Sequence, residues 1–373
     1  MPDATLSPIR RIAISTGGGD APGLNAVIRA ATLAAHRRGW EIIGIRDGYD
    51  GLLRPENYPQ GGTLTLTPER VEGLASMGGT LLGSTNKGNP FRFPVRDVGG
   101  TLREVDRSKQ LLDAFKRMRI DALVAVGGDG SLTIADGLAE QGLRVVGVPK
   151  TIDNDLDRTF TTFGFDTAVS FATDCIDRLH ATAASHHRII VVEVMGRYAG
   201  WIALHAGMAA SAHAILLPEL PFDIDAVAET IAGREAMGEA YSIVVVAEGA
   251  MPRDGHRSLR AAAEAGHAER LGGIGEQVAN ALAAATGKDA RCVVLGHLLR
   301  GGSPSAFDRT AALRFGAAAV RALADGHSGV MVALAFPDVN LVPLADVAGR
   351  IKCVRLDGDT IQTARDLGIC LGD

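Results

Sequence analysis

Two stretches of this chain repeat one short grammar: an apolar run, a Gly-Gly-Asp turn, then a helical pattern. The first is Ile12-Ala13-Ile14, followed by Gly17-Gly18-Gly19-Asp20-Ala21-Pro22-Gly23-Leu24-Asn25. The second is the run from Asp121 to Val126, followed by Gly127-Gly128-Asp129-Gly130-Ser131. Short runs rich in apolar and β-branched residues suit strands buried on both faces of a parallel sheet. Strand, glycine loop and helix in succession therefore predict a doubly wound α/β sheet. At 373 residues the chain is too long for one ordinary core and comfortable for two α/β domains.

Other runs extend the pattern. Strands are expected at Glu41 to Arg46, Leu143 to Val148, Ile189 to Val194, Ala214 to Leu217, Tyr241 to Ala247, Arg291 to Leu295 and Val330 to Phe336. Helices are expected after Pro22 to about Arg38, over Ser108 to Arg119, after Gly130 to about Gln141, over about 259–286 and over 307–325. Phe165, Ala168, Val169, Ala172, Cys175, Ile176 and Leu179 recur at three- and four-residue spacing, which is one helix face. Residues 1–10 read as a loose leader, 52–107 as irregular, and the tail from 343 as packing onto the second domain. Asp47-Gly48-Tyr49-Asp50-Gly51 reads as a turn carrying an exposed aromatic.

Chemistry concentrates where the strands end. Pro149-Lys150-Thr151-Ile152-Asp153-Asn154-Asp155 follows an apolar run, at the sheet edge where open α/β folds bind ligands. If it stays extended, Asp153 and Asp155 point to one side. Such a pair offers a base with a charge partner, or a metal site; an Asx-rich turn is the plainer alternative. Lys150 can hold a phosphate. The glycines at 17–19 before a helix aim backbone N–H groups at an anion, although the loop is neither GxGxxG nor a Walker loop. Gly78 to Asn89, rich in small polar donors, is a candidate second wall of the same site. Asp129 is placed to hold Mg²⁺ on a polyphosphate or, more simply, to cap a helix. Arg197 and Glu248 end two further strands, and His297 with Arg300 beside Gly301-Gly302 suggests phosphate binding.

Composition excludes several classes. With 46% hydrophobic and 22% charged residues, the chain reads as a soluble globular protein. A net charge of -5 argues against a general nucleic-acid binder. No apolar run reaches membrane-spanning length, and residues 1–10 carry no signal-peptide core. Cys175, Cys292, Cys353 and Cys370 lie far apart and read as reduced thiols of a cytoplasmic protein. His186 and His187 are adjacent and cannot face one metal on a regular element.

Taken together, the blocks resemble phosphofructokinase. They are Gly-Gly-Asp-Ala-Pro-Gly-Leu-Asn at 18–25, Gly-Gly-Asp-Gly-Ser at 127–131, Pro-Lys-Thr-Ile-Asp-Asn-Asp at 149–155, Val-Glu-Val-Met-Gly-Arg at 192–197, Glu248, and Gly-His-Leu-Leu-Arg-Gly-Gly-Ser-Pro at 296–304. They occur in the family's order over roughly residues 11–340. The resemblance implies two Rossmann-like doubly wound domains with the active site in the cleft between them. The donor domain would be 1–164 plus about 299–349, and the fructose 6-phosphate domain 165–298 plus about 350–373. It implies a glycolytic phosphotransferase acting on the 1-hydroxyl of fructose 6-phosphate. Asp153 would be the base, assisted by Thr151 and Arg197. Donor contacts would fall on Gly18, Gly19, Tyr49, Asn86, Lys87, Gly128, Asp129, Gly130, Ser131 and Lys150, with Mg²⁺ supported by Asp129 and Asp155. Substrate contacts would fall on Thr151, Asp153, Met195, Gly196, Arg197, Glu248, His297 and Arg300. Arg188 and Arg291 match residues that reach this pocket from a neighbouring subunit, which implies a homodimer or homotetramer.

The donor signals conflict. Gly130 leaves room for ATP, where pyrophosphate users of this family usually carry Asp. Lys150 matches pyrophosphate users, Asn86 replaces an arginine of bacterial ATP enzymes, and Ile134 stands near the nucleotide in place of a small glycine. ATP is the favoured donor and pyrophosphate the alternative. The family's basic effector cleft matches only at Arg29; Leu33, His180, His213 and Glu239 stand where cations or a metal-coordinating glutamate are found. No response to phosphorylated effectors is expected.

Overall fold

The computed structural model describes residues 8–96, 101–261 and 270–373. It contains two large sheets. The first has seven strands, in the spatial order Asp338–Pro343, Val330–Ala335, Arg144–Pro149, Ala122–Gly127, Arg11–Thr16, Glu41–Ile45, Thr63–Leu66. Its five inner strands are parallel and its two edges antiparallel. The chain leaves Arg11–Thr16 to one side and returns on the other at Ala122–Gly127, so ligand-binding topology centres between these two strands. The second sheet has four parallel strands, in the order Ala290–Val294, Ile189–Val194, Ser242–Ala247, Ala214–Leu216.

Side chains alternate across each strand, and both faces are covered. In the first sheet Ile12, Ile14, Val124 and Val126 pack with helices Leu24–His36 and Ala306–Ala324, while Ala13, Leu123 and Ala125 face helices Ser108–Arg117 and Asp129–Glu140. In the second, Ile190, Val192, Ile243 and Val245 pack with helices Phe165–His186 and Trp201–Ala209; Ile189, Val191, Val244 and Val246 face Ile224–Ala236 and Ile274–Thr286. Two doubly wound units result, as the repeated grammar predicted.

Helix Phe165–His186 joins the units. It starts at Gly164, whose φ of 97° admits the turn, and a Cβ there would lie 2.8 Å from that of Ala21. Asp308 anchors the start by accepting from Thr167 N at 2.7 Å and from Thr167 Oγ1 at 2.6 Å.

Several expectations need correction. The helix expected over about 259–286 begins only at Ile274; Leu259–Ala261 and Arg270–Leu271 pair as a short hairpin, and 262–269 lie outside the described residues. Gly272 and Gly273 have φ of 132° and 90°, which a helix excludes, so no helix runs through them into Ile274. Residues 1–7 of the expected leader, and 97–100, also lie outside the described residues. Tyr49 is 7% exposed and sits in the core beside Phe93, so the aromatic expected on the surface is buried. The tail divides: Leu344 and Val347 join the first unit, whereas Val354, Ile361, Ala364, Ile369 and Leu371 join the second. No helix among the described residues is long and apolar enough to cross a membrane.

Candidate active site

The first glycine loop leaves strand Arg11–Thr16 with Gly17 N bonded to the Val126 carbonyl at 2.9 Å, locking it to the neighbouring strand end. Gly18 takes φ 79°, donates to the Thr85 carbonyl at 3.0 Å, and accepts at its own carbonyl from Ser84 Oγ. Buried Asn25, on the following helix, donates to the carbonyls of Met77 and Gly78 and accepts from Leu81 N at 2.8 Å. The segment 78–89 therefore stands beside 17–20 and forms a second wall along that loop. A Cβ on Gly19 would fall 2.6 Å from Arg300 Nη1, so glycine is what lets Arg300 approach.

Between the walls runs the carboxylate loop. Pro149 is the last strand residue, opposite Gly127, and Lys150 N continues the pairing to the Gly127 carbonyl at 2.9 Å. Beyond Thr151 the backbone bends instead of staying extended. Asp153 N bonds Thr151 Oγ1 at 3.1 Å, and Asn154 adopts φ 51°, a left-handed conformation that Asn tolerates. The two aspartates consequently flank a turn and are not successive same-side residues of an extended strand. Thr162 holds the turn from below, through Oγ1 to the Thr151 carbonyl at 2.7 Å and through its N–H to Asn154 Oδ1 at 3.2 Å.

Electrostatics single out Asp153. Its Oδ1 is buried with no hydrogen-bond partner, an uncommon state for a carboxylate oxygen. Burial, and then the charge of Asp155, push its pKa up to about 7; Arg300 and Lys150 act against this and Glu248 adds to it. Burial likewise raises Asp155, with Thr151 opposing and Asp129 contributing. Asp129 starts its helix and accepts from Gly349 N at 2.7 Å through Oδ1. Lys150 is buried, and its ammonium donates to the Gly19 carbonyl; burial, then Arg300, bring its pKa down to about 8. One of its three donors is thus engaged with the loop.

The second sheet's carboxyl edge supplies the facing groups. Glu248 N bonds the Val194 carbonyl at 2.9 Å, and Gly249 N bonds that of Gly196 at 3.1 Å, aligning Glu248 with Met195, Gly196 and Arg197. Glu248 is raised by burial and lowered by Arg197 and Arg300. The turn Gly296–Arg300 carries Arg300 inward, where Nη1 donates to the Asp20 carbonyl at 3.0 Å, while His297 is exposed. Asp153 thus has Glu248, Lys150 and Arg300 as electrostatic neighbours, and Arg300 acts on all three of the others.

Arg188 and Arg291 lie elsewhere: both pair with Asp289, at 2.6 and 2.8 Å, at the amino edge of the second sheet. That is the edge opposite Met195 and Glu248, so the fold does not bring these arginines to the site of their own chain. Buried Tyr49 presents no exposed ring to a donor. Asn86 and Lys87 are exposed on the second wall. Ile134 packs toward the core beneath its helix, and a Cβ on Gly130 would meet nothing within 4 Å. The segment 349–354, which touches both Asp129 and Asp155, belongs to none of the sequence blocks and carries no periodicity that marks it.

A family model of phosphofructokinase matches residues 11–323. The chain belongs to the phosphofructokinase family. It is 52% identical over 364 residues to an ATP-dependent 6-phosphofructokinase of Chloroflexus aggregans, covering 98% of each chain. It is 48% identical over 352 residues to a pyrophosphate–fructose 6-phosphate 1-phosphotransferase of Amycolatopsis mediterranei, covering 93% of this chain and 97% of the relative. Among solved structures, Pichia pastoris phosphofructokinase in the T-state superposes with a TM-score of 0.77 at 30% identity over 98% of this chain, which spans 37% of that longer one. The family makes this protein a phosphotransferase.

Proposed function

We propose that the protein is an ATP-dependent 6-phosphofructokinase, transferring the γ-phosphoryl group of ATP to the 1-hydroxyl of fructose 6-phosphate. The observation that carries this reading is Asp153: a buried carboxylate with an unpartnered oxygen and a pKa near 7, matched to taking a hydroxyl proton at neutral pH. As the sugar oxygen bonds to phosphorus, its proton passes to Asp153 and the bond from phosphorus to the ADP oxygen breaks. Positioning and charge neutralisation do most of the remaining work in such transfers. Thr151 and Arg197 serve the transferred group; Met195, Gly196 and Glu248 orient the sugar; His297 and Arg300 take its phosphate. Gly18, Gly19, Asn86, Lys87, Gly128, Ser131 and Lys150 line the donor. Asp129 and Asp155 are close enough to influence each other's charge, which fits Mg²⁺, an ion that keeps phosphate and water oxygens among its ligands. Bound there, it would neutralise charge on the transferring phosphates.

Residues 1–164 with about 299–349 form the donor side in this reading, and 165–298 with about 350–373 the sugar side. Arg188 and Arg291 serve a neighbouring subunit's site, which requires a homodimer or homotetramer, and the enzyme works in the cytoplasm. The space beside Gly130 supports ATP. Pyrophosphate is the second reading, favoured by buried Lys150 and by the Amycolatopsis relative. Turnover of fructose 6-phosphate with Mg²⁺ and ATP tests the proposal: fructose 1,6-bisphosphate and ADP should appear in equal amounts. Failure to phosphorylate fructose 6-phosphate with any donor would overturn it.

A further inference from the structure

Residues 349–354 run from one sheet edge to the other, fastened throughout. Gly349 N donates to Asp129 Oδ1 at 2.7 Å. Ile351 bridges Leu156, and Lys352 N donates to the Asp155 carbonyl at 2.8 Å. Trp201 Nε1 donates to the Lys352 carbonyl at 2.8 Å, and Val354 N to Glu219 Oε1 at 2.7 Å. Glu219 in turn accepts from Gly200 N, at the start of helix Trp201–Ala209. One short strap thus ties both candidate metal-supporting aspartates to the second unit.

At its centre the Lys352 ammonium points into the carboxylate loop. It donates to Asn154 Oδ1 at 2.9 Å, to the Thr159 carbonyl at 3.1 Å and to the Phe160 carbonyl at 3.2 Å. Three acceptors for three N–H groups satisfy the ammonium completely. The contact to Asn154 matters most, because Asn154 holds the positive φ that separates Asp153 from Asp155. Its side chain is 6% exposed, and Thr162 N supplies the other bond to the same oxygen. Removing the ammonium leaves that oxygen with one weaker donor and releases the 159–160 carbonyls from the loop's other end.

We propose that Lys352 is a positioning residue for phosphoryl transfer: by clamping Asn154 to the 159–160 backbone, it fixes the directions of the Asp153 and Asp155 carboxylates. It touches no reacting atom. The inference rests on the reading of Asp153 as the base. A group acting this way changes turnover more than binding, because misplacement of a reacting group by about 1 Å costs on the order of 10²-fold in rate.

The test compares wild type, Lys352→Met, Lys352→Ala and Asp153→Asn in steady-state kinetics with fructose 6-phosphate and the active donor, alongside thermal melts. Lys352→Met should melt cooperatively, lose about 10- to 100-fold in kcat, and keep the KM for fructose 6-phosphate within about threefold of wild type. Ethylammonium should restore part of the turnover of Lys352→Ala and leave Lys352→Met unaffected. A folded Lys352→Met with kcat within about twofold of wild type overturns the inference. So does absence of amine rescue in a folded Lys352→Ala, and so does failure of both variants to fold, which assigns Lys352 to stability alone. Asp153→Asn keeps the two levels apart: full turnover there sinks the base assignment, whereas its loss beside an unimpaired Lys352→Met sinks only the role of Lys352.

Discussion

Arg300 donates from Nη1 to the backbone carbonyl of Asp20 at 3.0 Å, across 280 positions of sequence. The bond places one cation among Lys150, Asp153 and Glu248, and Arg300 lowers the pKa of both carboxyls. Arg300→Met should raise the KM for fructose 6-phosphate about 10- to 100-fold, the weight of a lost charge-assisted hydrogen bond. It should also shift the acid limb of kcat/KM to higher pH, since a cation that favours ionised Asp153 is gone. A pH profile superimposable on wild type would contradict the placement.

Asp153 carries its own pH prediction. Its pKa is pushed up to about 7, and a base must be ionised to accept a proton. Activity measured as kcat/KM should therefore fall as pH drops below about 7, with one proton taken up. Asp153→Asn should lose about 10²–10⁴-fold in kcat while fructose 6-phosphate still binds. Equilibrium binding to the inactive variant checks the second half.

Gly130 separates the two donors. Because a Cβ there meets nothing, Gly130→Asp should fold normally and direct its carboxylate into donor space. ATP turnover should drop about 10²-fold or more, through like charge placed against the α-phosphate, while pyrophosphate use is spared. Equal loss with both donors would mean that this space is not where they differ.

By the family resemblance, His180 stands where an effector cleft would carry an arginine and His213 where it would carry a metal-coordinating glutamate. His180 Nε2 donates to the Ala210 carbonyl at 2.7 Å, leaving Nδ1 to accept from the Tyr241 hydroxyl at 3.2 Å. His213 Nδ1 accepts from Ile243 N at 2.8 Å, and burial, then Arg234, push its pKa down to about 4. His213 thus stays neutral even in mildly acidic solution. Saturation with fructose 6-phosphate should be hyperbolic and unchanged by ADP or phosphoenolpyruvate, at pH 7 and near pH 6 alike. Sigmoidicity relieved by ADP would refute this.

How much of this was legible in the sequence depended on how local each signal is. Strand ends such as Val126-Gly127 and Val194-Met195 announce themselves because burial on both faces demands unbroken apolar runs. Tyr49 did not, since its burial depends on Phe93 and Leu111 arriving from later segments. Asn154 broke the extended run that would have set Asp153 and Asp155 on one side, because a single side chain, held by Thr162 and Lys352, fixes a left-handed turn. Gly272 and Gly273, both at positive φ, keep the expected helix from running unbroken into Ile274. Lys352 was invisible for the opposite reason: its importance lies wholly in the acceptors it meets.

Donor preference is the most direct measure of the account. Purified protein, fructose 6-phosphate and Mg²⁺ are supplied with ATP or with pyrophosphate, and kcat/KM is determined for each donor. The account predicts a ratio of at least about 10² in favour of ATP, the scale set by one misplaced or excluded phosphate contact. Turnover with pyrophosphate and none with ATP would contradict it, and would assign donor choice to Lys150 instead of Gly130.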